Sequence, residues 1–258
     1  MSEEKNKSQA KDGIEKNDDE MGFLEHLEDL RKRVIWALIS VIIGCIIAGF
    51  FINPLMELIL LNPAKAVHLD LQNLRPFGQP FLYFKVIFVV GLIISIPFIL
   101  LQLWLFVAPG LYSNERKWIG SITIFTSFCF LVGVAFAYFV MIPAMLTFAA
   151  SFGSETIKNI IDINEYFSFI TIMLLASGLL FEMPMVAYIL ARVGIITPRF
   201  LSKYRRHAIV INLILAAILT PTTDPVSLMI FAIPLFALYE LSIIITRFAK
   251  KKKADDAG

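Results

Sequence analysis

The sequence predicts an all-α membrane protein with six transmembrane helices and both ends in the cytoplasm. Hydrophobic residues make up 58% of the 258 positions and charged residues only 17%, whereas soluble domains average about 45–50% and 25%. Uncharged stretches recur along the chain, and most exceed the ~20 residues that cross a ~30 Å hydrocarbon core. Nineteen of the 23 lysines and arginines lie on one side of these stretches. By the positive-inside rule, that side is the cytoplasm.

The N-terminal region combines a polar tail with an amphipathic helix. Residues 1–22 are rich in charged and amide side chains, so we expect a disordered cytoplasmic tail. Residues 23–33 place Phe23, Leu27 and Leu30 at helical spacing, which predicts a helix lying on the cytoplasmic surface. This helix leads directly into the first span, at about 34–52.

Prolines mark the ends and kinks of the next spans. A long external loop at 53–80 contains its own apolar patch, so we expect a short helix there that caps the spans. Pro97 should kink the second span, and Pro143 should end the third, before a second external loop at 143–165. Spans two, three and four are predicted at about 81–105, 119–142 and 166–191.

The fifth span is unusually short. Only 13 residues separate His207 from Pro221, and at ~1.5 Å each they give about 20 Å, less than the hydrocarbon thickness. Either the bilayer thins around this helix, or it forms a short hairpin with the sixth span, at about 226–246. The six-span domain would then cover 23–248, and a basic-then-acidic cytoplasmic tail would follow at 249–258.

Glu182 is the most informative single residue. It lies ten residues before Arg192, about 15 Å from the cytoplasmic end of its helix and near the middle of the hydrocarbon. A carboxylate there costs about 2.5–3.5 kcal/mol on insertion scales. We weigh a contact or proton site against a buried carboxyl group hydrogen-bonded to a neighbouring span. The usual role of intramembrane acids favours the functional alternative.

Asp29 and Glu115 form a second candidate site on the cytoplasmic side. Two carboxylates at a membrane surface could each bind a guanidinium group in bidentate fashion, which distinguishes arginine from lysine. However, Arg33 follows Asp29 by four residues and Arg116 adjoins Glu115. Spacing alone therefore favours ordinary surface charges.

Three further residues have simple structural explanations. Phe106 and Pro109 lie in the same stiff, aromatic loop as Glu115, and such loops are usually interfacial anchors. Asp224 lies in the sequence PTTDP, where a turn-forming role is expected.

Several classes of function lack their motifs in this sequence. It contains no glycine-rich GKS or GKT loop and no cluster of His and Cys with metal spacing, and three histidines offer no catalytic triad. The basic clusters lie at membrane ends instead of on one nucleic-acid-binding face. The sequence therefore predicts no enzyme activity, no cofactor, no metal and no nucleic-acid partner.

Four motifs occur along the chain in a specific order: FLEHLEDLRKR at 23–33, QLWLFVAPGLYSNER at 102–116, YFVMIP at 138–143 and FEMP at 181–184. Together they resemble TatC, the multispanning core of the twin-arginine protein translocase, over roughly residues 21–248. The resemblance implies a cupped fold with short fifth and sixth helices. It also implies a receptor for signal peptides with paired arginines, in the bacterial cytoplasmic (inner) membrane.

The same resemblance implies partners and an energy source. The family works with the single-span proteins TatA and TatB, and we expect several copies of the chain within a larger complex. It exports folded proteins using the proton-motive force and no nucleotide. The runner-up hypothesis is a proton-coupled solute transporter in which Glu182 titrates, and a purely structural scaffold is a third.

Site residues carry over from the family motifs one by one. Asp29 and Glu115 match the acids that contact the twin-arginine motif, so the binding interpretation becomes the favoured one. Glu182 matches the intramembrane acid that engages TatA and TatB. Many relatives have Glu at the position of Asp29, and they often have Gln where this chain has Leu228. The remaining matches are Arg31, Phe106 and Pro109 at the peptide site, and Tyr138 and Asp224 at motif positions assigned to partner contact with less certain roles.

Overall fold

The structure, a computed structural model, describes residues 27–67, 69–107, 119–151, 160–219 and 225–249. Within these ranges, five helices are long and apolar enough to cross a membrane. They comprise Leu27–Phe50, Gly78–Val107, Gly120–Ser151, Ile163–Arg192 and Pro225–Phe248. The predicted tail at 1–22 and nearly all of the predicted tail at 249–258 lie outside the described residues.

Fifteen elements, almost all helical, follow one another along the described chain. In order they are α1 (Leu27–Phe50), α2 (Ile52–Leu55), a π-helical turn (Met56–Leu61), α3 (Asn62–Ala66), β1 (Asp70–Gln72), α4 (Gly78–Val107), α5 (Ile119–Phe136), a second π-helical turn (Ala137–Met141), α6 (Ile142–Ser151), β2 (Ile160–Asp162), α7 (Ile163–Leu180), α8 (Met183–Val193), α9 (Pro198–Lys203), α10 (Arg205–Leu219) and α11 (Pro225–Ala249).

The first helix is longer than the sequence predicts. The expected surface helix at 23–33 and the expected first span form one uninterrupted helix from Leu27 to Phe50. The reason is local, because no glycine or proline occurs between Leu27 and Ile43 to interrupt it. The two predicted elements are therefore one helix over residues 27–50, and the position of residues 27–33 at the membrane surface stays a prediction.

The predicted end of the third span at Pro143 is also wrong. The helix continues through the second π-helical turn into α6 and ends only at Ser151. Pro143 is the second residue of α6 and lies directly after that turn. The wider turn before it makes room for the proline ring.

The fourth span, predicted as one stretch at about 166–191, is broken just before Pro184. α7 ends at Leu180 and α8 starts at Met183, with Phe181 and Glu182 between them. Proline at the start of α8 fits, because the first turn needs no donor at that position. α10, the expected fifth span, has 15 residues and is about 22 Å long, which agrees with the predicted length deficit.

One end of the bundle carries a small cap made of α2, the first π-helical turn, α3, β1 and β2. The helices in this cap confirm the prediction of short helices at 53–80. The strands were not predicted, and they pair in parallel with Asp70 beside Ile160 and Gln72 beside Asp162. Arg75 and Glu165 add an exposed ion pair with 3.3 Å between nitrogen and oxygen. We call the opposite end, which holds Asp29, Arg192 and α9, the basic end.

The core lies where α4, α6, α7, α10 and α11 meet. Its largest fully buried side chains include Phe231, Ile170 and Met173. Most other large apolar side chains point outward, such as Phe50 and Phe139, which are 83% and 73% exposed. An apolar exterior around a packed core is the arrangement expected in lipid.

Candidate functional site

The contact between α1 and α4 fixes the position of Asp29 along the bundle axis relative to the C-terminal end of α4. The Ser95 hydroxyl donates to the backbone oxygen of Ser40 at 2.7 Å, and Gly44 faces Gly91 at the same contact. Since α1 and α4 run antiparallel, residues before Ser40 and after Ser95 extend toward the same end. Small residues at this crossing allow the two backbones to approach closely.

Asp29 and Phe106 reach the same level of the membrane by this register. Asp29 lies eleven residues before Ser40, and Phe106 lies eleven residues after Ser95. At ~1.5 Å per residue, both are about 16 Å from the contact, at the basic end. Two residues from distant motifs are thus brought to one height by the α1–α4 packing.

Asp29 is already engaged on its own helix. Its Oδ2 accepts a hydrogen bond from Arg33 Nε at 2.7 Å, and the side chains are 36% and 21% exposed, respectively. This is the i,i+4 pair that the spacing predicts. A carboxylate has two oxygens, so a partly exposed one can accept from a second guanidinium group.

The other predicted residues of this site are not all placed with Asp29. Arg31 is exposed, but it lies two positions from Asp29 on one helix and therefore faces a different direction. Phe106 is half-buried at the end of α4. Glu115, Pro109 and the turn residue Asp224 lie outside the described residues.

Glu182 occupies the break between α7 and α8. Only 4% of its surface is exposed, and neither carboxyl oxygen has a hydrogen-bond partner within the described part of the chain. A backbone group of Phe130 lies close, but its geometry does not complete a hydrogen bond. The alternative of a carboxyl group satisfied by a neighbouring span is therefore not what the described residues show.

A cavity of ≈ 440 Å³ lies beside Glu182, between α8, the segment through α9, and α11. Its walls are mainly apolar, from residues such as Val186, Leu190 and Leu201. Tyr239 and Ser242 are its other polar residues, and sequence analysis did not select them. The available clue was their polar character within an otherwise apolar span.

Tyr138 connects a membrane helix to the cap. It lies in the second π-helical turn, and its hydroxyl group donates to the backbone oxygen of Leu58. Tyr138 therefore has an intramolecular role, while its assignment to partner contact stays a prediction. Among the described residues, no group of three or more His, Cys, Asp or Glu is placed to hold a metal ion.

Known proteins resemble this chain over nearly its whole length. Residues 25–234 match the family model of the Sec-independent protein translocase protein TatC. The TatC protein of Carboxydothermus hydrogenoformans is 39% identical over 236 residues, which cover 92% of this chain and 97% of that relative. TatCy of Bacillus subtilis is 36% identical over 234 residues, with 90% and 91% covered.

Solved structures agree with the sequence matches. A crystal structure of the twin arginine translocase receptor TatC superposes with a TM-score of 0.77 at 35% identity, covering 88% of this chain and 100% of that one. A second structure of that receptor, in the detergent DDM, gives a TM-score of 0.77 at 36% identity, with 85% and 98% covered.

Proposed function

The chain belongs to the TatC family and is a component of the twin-arginine protein translocase, and we propose that within it the chain is the receptor for twin-arginine signal peptides. In this proposal Asp29 and Glu115 bind the paired arginines, and Arg31, Phe106 and Pro109 complete the site. The observation that carries the proposal is the α1–α4 register, which supports a shared site by bringing Asp29 level with Phe106.

The charge at this site suits a basic peptide. Glu25, Glu28 and Asp29 lie close together in sequence. Lys32 and Arg33 pair with Glu28 and Asp29, so in this proposal the basic segment of the peptide competes with these intramolecular partners. Bidentate contacts to a carboxylate favour arginine over lysine, because the guanidinium group presents two parallel N–H donors. Apolar helices beside the site would hold the hydrophobic part of the peptide.

Peptide binding by the detergent-purified protein tests this function. A signal peptide with Arg-Arg should bind more tightly than its Lys-Lys twin, and Asp29→Ala with Glu115→Ala should remove that preference. Glu57→Ala with Glu165→Ala is the matched control, because it removes two exposed carboxylates that form ion pairs at the cap end. Equal binding of both peptides to folded wild-type protein would reject the proposal.

Glu182 is proposed to recruit single-span partners of the TatA and TatB type. A buried carboxyl group without a partner gains a hydrogen bond when a polar side chain of another helix reaches it. Export would then use the proton-motive force, in the bacterial cytoplasmic membrane, within a complex of several copies. Glu182→Gln should retain partner co-purification better than Glu182→Leu, because only the amide can still form that hydrogen bond.

A proton-coupled solute transporter is the second candidate function. The cavity beside Glu182 favours it, since ≈ 440 Å³ lies within the usual range of small-molecule sites. It predicts solute uptake into liposomes by the isolated protein and loss of uptake in Glu182→Gln. Absence of uptake together with Arg-Arg-selective peptide binding would exclude it.

A further inference from the structure

The stretch from α9 into the first turn of α10 carries two parallel rows of exposed side chains. The aromatic row has ring centroids 4.6 Å apart between Phe200 and Tyr204, and 5.4 Å apart between Tyr204 and His207. The basic row lies one residue earlier at each step, so it follows the same helical spacing along the adjacent face. Its members are Arg199, Lys203 and Arg206. We call these six residues the basic–aromatic surface.

The basic row has no counter-charge among the described residues. Arg199, Lys203 and Arg206 form no ion pair with any described carboxylate, whereas the adjacent Arg205 pairs with Glu240 at 2.9 Å. Three exposed cations therefore lie together on α9 and the first turn of α10, and no carboxylate in the described part of the chain pairs with them. Such a cluster attracts an external anion.

The basic–aromatic surface is held firmly at the membrane boundary. The Tyr239 hydroxyl donates to the backbone oxygen of Leu201 at 2.8 Å, which ties α9 to α11. Thr197 caps α9 by accepting from the backbone N–H of Phe200 at 3.2 Å. Since the apolar part of α8 ends at Arg192 and that of α10 begins after His207, the surface lies where hydrocarbon meets head groups.

We propose that the basic–aromatic surface binds the head groups of anionic phospholipids. Guanidinium and ammonium groups pair with phosphate oxygens, and each basic residue near an anionic bilayer strengthens the attraction. Tyr204 has the apolar ring and polar edge that are enriched at this depth of the membrane. An acidic protein segment could pair with the basic row. Charge pairing alone would not bury the rings of Phe200 and Tyr204, which are 50% and 39% exposed.

Native mass spectrometry of the full-length, detergent-purified protein measures this binding. The protein is titrated with phosphatidylglycerol and separately with phosphatidylcholine of the same chains. Wild type should prefer phosphatidylglycerol. The triple change Arg199→Gln, Lys203→Gln and Arg206→Gln should weaken phosphatidylglycerol binding on the order of 100-fold at low salt, about fivefold per residue. Binding of phosphatidylcholine should not change.

Two control variants separate this site from net charge. Lys5→Gln, Lys7→Gln and Lys11→Gln remove the same charge from the N-terminal tail and should keep the lipid preference. Should the triple variant at the basic–aromatic surface not fold, Arg206→Gln is compared with Arg205→Gln and Glu240→Gln together. Only Arg206→Gln should weaken phosphatidylglycerol binding, because Arg206, unlike Arg205, pairs with no carboxylate among the described residues.

Two results would overturn the proposal. One is an undiminished phosphatidylglycerol preference in a folded variant that lacks the basic row. The other concerns a synthetic peptide with the acidic sequence of residues 1–22. If this peptide binds wild type more tightly than phosphatidylglycerol does, and if the triple variant loses that binding, the surface belongs to a protein segment. The proposal requires only the membrane-embedded fold and is independent of signal-peptide recognition.

Discussion

Arg33 occupies one oxygen of the Asp29 carboxylate and so competes with any incoming arginine. Arg33→Gln should therefore tighten binding of an Arg-Arg peptide by about twofold, the size of an exposed i,i+4 pair. Isothermal titration of the purified protein with the peptide measures this change. Lys32→Gln removes the same charge one position away, where Lys32 pairs with Glu28 at 2.9 Å, and should change affinity less. Weaker binding by Arg33→Gln would show that Arg33 supports the site.

Glu182 should destabilise the isolated chain. A buried polar group without a hydrogen bond costs about 1–3 kcal/mol in proteins, and both carboxyl oxygens are buried and unpaired within the described structure. Glu182→Met should raise the melting temperature in detergent by a few degrees while reducing partner co-purification. Leu179→Met, at the same cavity, is the control and should alter neither. A lower melting temperature in Glu182→Met would mean that the carboxyl group has a stabilising partner.

Asp162 stabilises the cap end in a pH-dependent way. Its Oδ1 accepts from the backbone N–H of Asn164 at 2.7 Å at the start of α7, and this hydrogen bond holds the pKa of Asp162 below its ordinary value of 3.8. Because the folded-state pKa is depressed, the contribution is complete well above pH 3.8 and is lost as the pH falls through the folded-state pKa.

Asp162→Asn provides the test, since asparagine also caps helices but does not titrate. The melting temperature of wild type should exceed that of Asp162→Asn at neutral pH, and this difference should disappear below about pH 4. A difference that stays constant across this pH range would contradict the role of the ionised carboxylate.

At the scale of elements, the packing at the α1–α4 crossing should affect peptide affinity, although the crossing lies about 16 Å from Asp29. A Cβ on Gly91 would lie 2.6 Å from the backbone nitrogen of Cys45, so Gly91→Ala must push α1 away from α4. We expect a lower melting temperature and peptide affinity reduced several-fold, because Asp29 and Phe106 move apart as the two helices separate. Gly49→Ala is the matched control, since nothing lies within 4 Å of its added Cβ. Unchanged peptide binding in Gly91→Ala would separate the site from this crossing.

The membrane-spanning helices could be predicted because each one is a continuous run of apolar residues that can be recognised locally in the sequence. Pro143 misled the prediction, because a π-helical turn that absorbs a proline has no distinct sequence pattern. The strands β1 and β2 were missed since three-residue strands, separated by more than 80 positions, have no periodicity to detect.

At the scale of the whole molecule, the sequence could identify site residues but not how they meet. Asp29 and Glu182 stand out because charges near or within apolar spans are costly. The α1–α4 register places Asp29 and Phe106 at the same position along the bundle axis, and it depends on Gly44, Gly91 and Ser95. A glycine in the sequence of one span does not indicate which other span it contacts. Tyr239 and Ser242 became relevant only when folding placed α11 beside Glu182.

The proposed receptor function depends on direct pairing between Asp29 and a peptide arginine. A double-mutant cycle measures that pairing by combining Asp29→Ala in the protein with Arg→Gln at each arginine of the peptide. We predict a coupling free energy of about 1–3 kcal/mol for one of the two arginines, as for hydrogen bonds to charged groups. Coupling near zero for both arginines, in protein that still binds the peptide, would contradict the assignment of Asp29 to the receptor site.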